Sequence, residues 1–177
     1  MINDQCLMIN NHSIMSNASQ FLSLVNSPLK FRLFLLAKLP SAFFCGVRVR
    51  SADEEKCVVT VPFKWLSQNP FRSTYFACLA MAAEMSTGVL AMAHIYKRNP
   101  AVSMLVLDVK GNFIKKATGK TRFTCEDGSL IRQSIEEAIG TGDGRIVTAR
   151  SAGRNESGEV VAEFTITWSF KVKPNSN

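Results

Sequence analysis

Ser73-Thr74-Tyr75-Phe76-Ala77-Cys78-Leu79-Ala80-Met81-Ala82-Ala83-Glu84-Met85-Ser86-Thr87-Gly88-Val89-Leu90-Ala91-Met92-Ala93-His94-Ile95-Tyr96 runs between Arg72 and Lys97 with one carboxylate, Glu84, near its middle. Its Ala, Met and Leu content favours a helix, and at about 100° per residue the apolar side chains cover every face of it. Such a helix is wrapped by protein. It is long enough, at roughly 35 Å, to cross a bilayer. Glu84, His94 and the scattered hydroxyls make it a poor membrane span, and a core helix is the expectation. Glu84 falls on the same side as Ala77, Ala80, Met81, Thr87, Gly88, Ala91 and Ile95, where small side chains let another group come close. An ionisable group buried beside open space marks a functional site.

Outward from this helix the period changes. Ser19 to Asn26 supports one or two helical turns, and Pro28 opens a helix over Leu29 to Lys38 that Pro40 ends. Phe43 to Arg50 and Lys56 to Trp65 then alternate as strands around the acidic turn Asp53-Glu54-Glu55, with Cys57, Val59, Val61, Phe63 and Trp65 on one face. Beyond the long helix come Val102 to Lys110, a break at Gly111, and Phe113 to Cys125 interrupted near Gly119. Asp127 or Ser129 caps a short helix that carries Leu130, Ile131, Ile135, Ala138 and Ile139 on one side and stops at Gly140. The last hairpin is the clearest strand signal: Val160, Ala162, Phe164, Ile166, Trp168, Phe170 and Val172 alternate with mostly polar residues, and Asn155-Glu156-Ser157-Gly158 turns back to Arg145 to Ala152. An α+β fold follows, one antiparallel sheet curled around one apolar helix. Residues 1–17 read as a flexible lead, 18–40 as helices packing on the domain as a lid or collar, 41–173 as the domain and 174–177 as a tail.

The chain of 177 residues carries a net charge of +7, from 21 Lys plus Arg against 14 Asp plus Glu. That balance suits an anionic partner. The cations are scattered and not interleaved with aromatics, which argues against nucleic acid and for a phosphorylated small molecule. Cys6, Cys45, Cys57, Cys78 and Cys125 show no CxxC or disulfide-framework spacing and read as thiols of a reducing compartment. Met1 to Ser19 lacks the basic start and apolar core of a secretion signal, so a cytoplasmic protein is expected.

Several motifs fail on physical grounds. Gly119-Lys120-Thr121 resembles the end of a phosphate-binding loop, but Ile114 stands where the first glycine belongs and a strand follows in place of a helix. Gly140-Thr141-Gly142-Asp143-Gly144 reads as a turn. Cys78 and His94 cannot act as a nucleophile and base within one subunit, because the helix between them separates them by roughly 24 Å. Two histidines in all leave no metal set. Glu84 and Asn69 have plain structural readings as well: a buried ion pair or backbone cap for Glu84, and the start of the turn Asn69-Pro70-Phe71 for Asn69.

Asn69-Pro70-Phe71, then Ala82-Ala83-Glu84 and Thr87-Gly88, set after two strands and before antiparallel strands, resemble the hotdog-fold acyl-CoA thioesterases, in a branch catalogued as a domain of unknown function. The resemblance covers roughly residues 29 to 172. It implies a catalytic pair, Asn69 before the central helix and Glu84 about four turns along, with Glu84 as base on water or nucleophile and Asn69 orienting the water or the carbonyl. It implies backbone N–H groups at the helix start as carbonyl donors, and a substrate-binding role for Tyr75, Phe76, Met81, Thr87 and Gly88. Many active members carry His-Gly-Gly at that start, where this chain has Tyr75, Phe76 and Ala77. The substrate class is an acyl-CoA or acyl-carrier thioester, with coenzyme A entering as part of the substrate and no separate cofactor. A homodimer joined edge to edge, often paired again into a tetramer, is also implied, with no nucleic acid and no membrane span. Two other readings stay open: a non-catalytic acyl or lipid binder, and a hydratase or dehydratase.

Overall fold

The computed structural model describes residues 17–174, so all but Asn17 and Pro174 of the expected lead and tail lie outside the described residues. Helices α1 (residues 17–25), α2 (Pro28–Lys38) and α3 (Pro40–Cys45) lead into strands β1 (Arg48–Ala52) and β2 (Cys57–Val61). The long helix α4 (Phe76–Ile95) follows, then β3 (Val102–Phe113), β4 (Thr121–Cys125), helix α5 (Gly128–Thr141), β5 (Arg145–Arg154) and β6 (Val160–Val172). The six strands form one antiparallel sheet in the order β1-β2-β4-β5-β6-β3, and it curls around α4 as a hotdog fold.

The core sits between the concave sheet face and α4. Alternation along β6 delivers Phe164, Ile166, Trp168 and Phe170 to it, and β2 adds Cys57, Val59 and Val61. From the helix come Leu79, Ala82, Ala83, Leu90 and Ala91. Two polar links fix the helix against the sheet: the Ser86 and Ser151 hydroxyls share a hydrogen bond of 2.8 Å, and Trp168 Nε1 donates to Thr87 Oγ1 at 3.0 Å. Among the described residues α4 is the one helix long and apolar enough to cross a membrane, and most of it is buried in this core.

Five boundaries differ from the sequence expectation. Pro40 opens α3 instead of ending the helical region, because a proline at the first helical position gives up an N–H that has no partner there anyway. Gly46, at φ 81°, then ends α3, so Phe43 to Cys45 are helical and the strand begins at Arg48. Strand β2 stops at Val61, since Pro62 has no N–H for the ladder, and Trp65 is 80% exposed instead of facing the core. Gly111 lies inside β3 and breaks nothing: a Cβ there would meet the Phe164 ring at 2.8 Å, so the glycine admits that ring. Helix α5 runs past Gly140 to Thr141 and ends at Gly142, φ 76°.

Candidate functional site

The start of α4 has a specific backbone layout. Tyr75 is its N-cap and contributes no side-chain cap, while its carbonyl accepts from Cys78 and Leu79 N–H at 2.9 and 3.3 Å. The Phe76 and Ala77 N–H groups have no partner among the described residues, as expected for the first turn of a helix. A cavity of about 480 Å³ lies beside them, bounded by Asn69, Tyr75, Phe76, Leu79, Phe113 and Lys116. Phe76 and Phe113 meet edge to face at 6.5 Å across it.

Asn69 belongs to the wall of this cavity, but its side chain is turned into its own loop. Its Oδ1 accepts from Phe71 N at 3.0 Å and Ser73 N at 3.2 Å, and its Nδ2 donates to Ser73 Oγ at 3.1 Å. These bonds hold the tight loop in which Arg72 takes φ 57°. Asn69 therefore shapes the approach to the helix start.

Two turns further along α4, Glu84 faces a second cavity of about 270 Å³. Phe21 of α1, Phe31 and Phe34 of α2, and Leu39 form its outer side, while Met85, Gly88, Val89, Met92, Met104 and Trp168 form the rest. No hydrogen bond or ion pair reaches the Glu84 carboxylate from the described residues, and burial lifts its pKa above the usual glutamate range. Gly88 leaves the room it occupies, because a Cβ there would come within 3.2 Å of Glu84 Oε1 and 3.4 Å of the Trp168 ring. Ala77, Ala80, Met81, Met92 and Ile95 are half-buried on the same side, so this stripe of α4 is its least covered face.

The structure brings Glu84 and Gly88 together, with Met81 a turn away on the same stripe. It places Asn69, Tyr75 and Phe76 around the separate cavity at the helix start. Thr87 is occupied: it accepts from Trp168 and donates to the Glu84 carbonyl at 3.0 Å. His94 Nε2 meets the Glu54 carbonyl at 3.2 Å, and burial holds the imidazole below its usual range, a core histidine and not a base beside Glu84. The residues the sequence did not announce are Phe21, Phe31, Phe34 and Leu39, which roof the Glu84 cavity. For Phe31 and Phe34 the signal was the surplus of apolar residues on α2, more than one buried face needs.

The family described as Domain of unknown function (DUF4442) matches residues 30–170, nearly the whole of the sheet and α4. The chain belongs to this DUF4442 family. Solved structures share its fold at low identity. A Pseudomonas aeruginosa protein of unknown function, described as a probable thioesterase, is 22% identical with a TM-score of 0.70, covering 82% of this chain and 97% of its own. A Chlorobaculum tepidum protein of unknown function is 18% identical, with a TM-score of 0.67 and coverage of 81% and 93%. A Haemophilus influenzae thioesterase is 14% identical, with a TM-score of 0.62 and coverage of 82% and 92%. Among curated proteins none matches. At these identities the likeness establishes the fold of this DUF4442 protein, and its chemistry has to be argued from the two cavities.

Proposed function

We propose that this DUF4442 protein hydrolyses the thioester of an acyl-CoA or acyl-carrier substrate, with Glu84 as the catalytic carboxylate. The observation that carries this reading is an unpaired, half-buried carboxylate on the wall of an apolar cavity. Glu84 takes a proton from water as the water oxygen attacks the carbonyl carbon. The oxyanion is met by the free N–H groups of Phe76 and Ala77 at the positive end of α4. Collapse breaks the C–S bond, and the thiolate leaves with a proton.

Glu84 and the helix start face different cavities of one protomer, and a homodimer supplies their meeting: Glu84 of one subunit opposite the helix start of the other. Strand β3 supports this assembly, since among the described residues it is an edge of the sheet, 12 residues long, carrying exposed Leu105, Leu107, Val109 and Phe113. At the helix-start cavity, Lys115 is taken up by Glu159, while the Lys116 ammonium donates only to the Phe71 carbonyl at 3.4 Å and is the cation placed to meet a pantetheine phosphate. The four free thiols of the described residues suit a cytoplasmic setting. Screening acyl-CoAs for thiol release tests the reading: Glu84→Ala is expected to lose about 100-fold or more, and equal rates in the two proteins would overturn it.

A second reading has its own support. With the Asn69 amide committed to its loop and Tyr75-Phe76-Ala77 where many thioesterases carry His-Gly-Gly, the same shell serves as a non-catalytic acyl or lipid carrier. Acyl species found with the purified protein by mass spectrometry, and no turnover on any thioester, would decide for it.

A further inference from the structure

Helix α2 is apolar on both sides, and only one side has a partner among the described residues. Phe31 and Leu35 point into the core and are 6% and 0% exposed. On the opposite face Leu29, Leu33 and Leu36 stand at the i, i+4, i+7 spacing of one stripe and are 73%, 59% and 43% exposed. Leu39 and Phe44, at 45% and 58%, prolong the apolar surface past the end of the helix. Charge stands near it: Lys30 lies about 90° round the helix from the stripe and Lys38 closes the helix at its C-terminal end, both exposed and with no ion-pair partner among the described residues. From Gln5 to Ala52 the sequence has no Asp or Glu, against Lys30, Arg32, Lys38, Arg48 and Arg50. Arg32 braces the surface from behind, donating to the Phe43 carbonyl at 3.3 Å with its guanidinium 3.8 Å from the Phe43 ring centre.

From this surface we infer that α2 and α3 dock the protein on an anionic lipid bilayer. Leucines at the centre of an outward helical face, with Lys30 beside them able to lay its stem along the interface while its ammonium group reaches phosphate, are the pattern of an interfacial helix. A second copy of the chain fits less well, because pairing two such faces sets lysine against lysine with no carboxylate from this region to balance them. The position of the surface gives docking a use. Phe34 and Leu39 belong both to the exposed surface and to the roof of the Glu84 cavity, so a bilayer against α2 lies one side-chain layer from that cavity. That use rests on the hydrolase reading; the docking does not.

The test is co-sedimentation of the full chain, without substrate, with vesicles of phosphatidylcholine alone or with about a third phosphatidylglycerol. Binding to the anionic vesicles, weakened by salt and absent from the neutral ones, is expected. The double variant Leu29→Glu/Leu33→Glu, altered only at exposed positions, is expected to lose about tenfold or more in partitioning. Lys30→Glu is expected to lose at least about fivefold. Binding that ignores these substitutions, or that is equal on neutral vesicles, would overturn the inference. So would an absence of vesicle binding, including the case in which the leucine variant splits an oligomer of the native chain and self-association proves to be what covers the stripe. Thioester hydrolysis measured on the same variants with a soluble short-chain acyl-CoA reports separately on Glu84.

Discussion

The indole N–H of Trp168 donates to the hydroxyl of Thr87 at 3.0 Å, and that hydroxyl donates in turn to the carbonyl of Glu84. Residues 81 positions apart in sequence thus join the middle of β6 to the turn of α4 that carries the carboxylate. Thr87→Val keeps the shape and removes both bonds, leaving a buried indole N–H without a partner. A loss of about 1–3 kcal/mol in urea unfolding is expected, and a variant as stable as the native chain would show that the link contributes nothing.

Gly88 separates stability from function. Alanine in a helix interior is worth roughly 0.5–1 kcal/mol over glycine, and the added Cβ would press first on Glu84 Oε1, the movable end of a side chain, and only then on the Trp168 ring. Gly88→Ala is therefore expected to melt at or above the native temperature while thioester turnover falls, because the carboxylate is pushed off its position. A Gly88→Ala protein with native turnover would mean that Glu84 has room to spare.

The parts of this fold legible in the sequence are those in which one residue's neighbours in the chain decide its environment. Phe164, Ile166, Trp168 and Phe170 alternate with polar partners, and Glu84 is the lone carboxylate of an apolar run; each could be placed from its own segment. Gly111 could not, since its purpose is the ring of Phe164, brought opposite only by the β3–β6 register. Phe43 and Phe44 fitted a strand, and the device that makes them helical is a pair of punctuating residues, Pro40 and Gly46, each of which also occurs between strands. For the site, Glu84 and Gly88 were within reach because they share one helix face. The roof of their cavity was not, because it comes from Phe21, Phe31, Phe34 and Leu39 on a segment whose docking angle no local pattern encodes.

Asn69 offers a clean distinction between shaping a loop and taking part in chemistry. Its Oδ1 accepts two backbone N–H bonds, which aspartate can also accept and alanine cannot. Asn69→Ala is expected to lose about 1–2 kcal/mol, with Asn69→Asp near the native stability. If the loop is its whole role, Asn69→Asp also keeps most of the turnover. If the Asn69→Asp variant is stable and inactive, the amide itself meets the substrate.

Thiol chemistry should single out one cysteine of the four described. Cys45 is half-buried, with its sulfur 3.4 Å from Cys78 Sγ. Burial, helped by the bond to Cys45, pushes the Cys78 thiol up to about 12, and burial does the same for Cys125. Cys57, its cross-strand partner, is raised further still by the same cause. Because the thiolate is the nucleophile, a limiting dose of iodoacetamide followed by peptide mapping should mark Cys45 ahead of Cys57, Cys78 and Cys125. Equal labelling of Cys57 would mean that the sheet opens around it.

The raised pKa of Glu84 makes opposite demands on stability and activity. A carboxyl with a higher pKa folded than unfolded binds its proton more tightly in the native state. Its contribution is greatest below the ordinary glutamate value and is lost as pH rises through the native one. At neutral pH the ionised group is a burden on the fold, so Glu84→Gln is expected to stabilise the protein by on the order of 1 kcal/mol. The variant should also lose the native chain's decline in stability across that window. The proposed hydrolysis needs the same proton gone: kcat/KM should climb with pH through the raised value of Glu84, on an acid limb displaced above that of an exposed glutamate. Urea titrations of both proteins over the acid-to-neutral range, set beside the pH–rate profile of the native chain, check the two together. A Glu84→Gln protein that is less stable at neutral pH would mean that the carboxylate has a partner in the assembled protein, and the structural reading of Glu84 would then stand in place of the catalytic one.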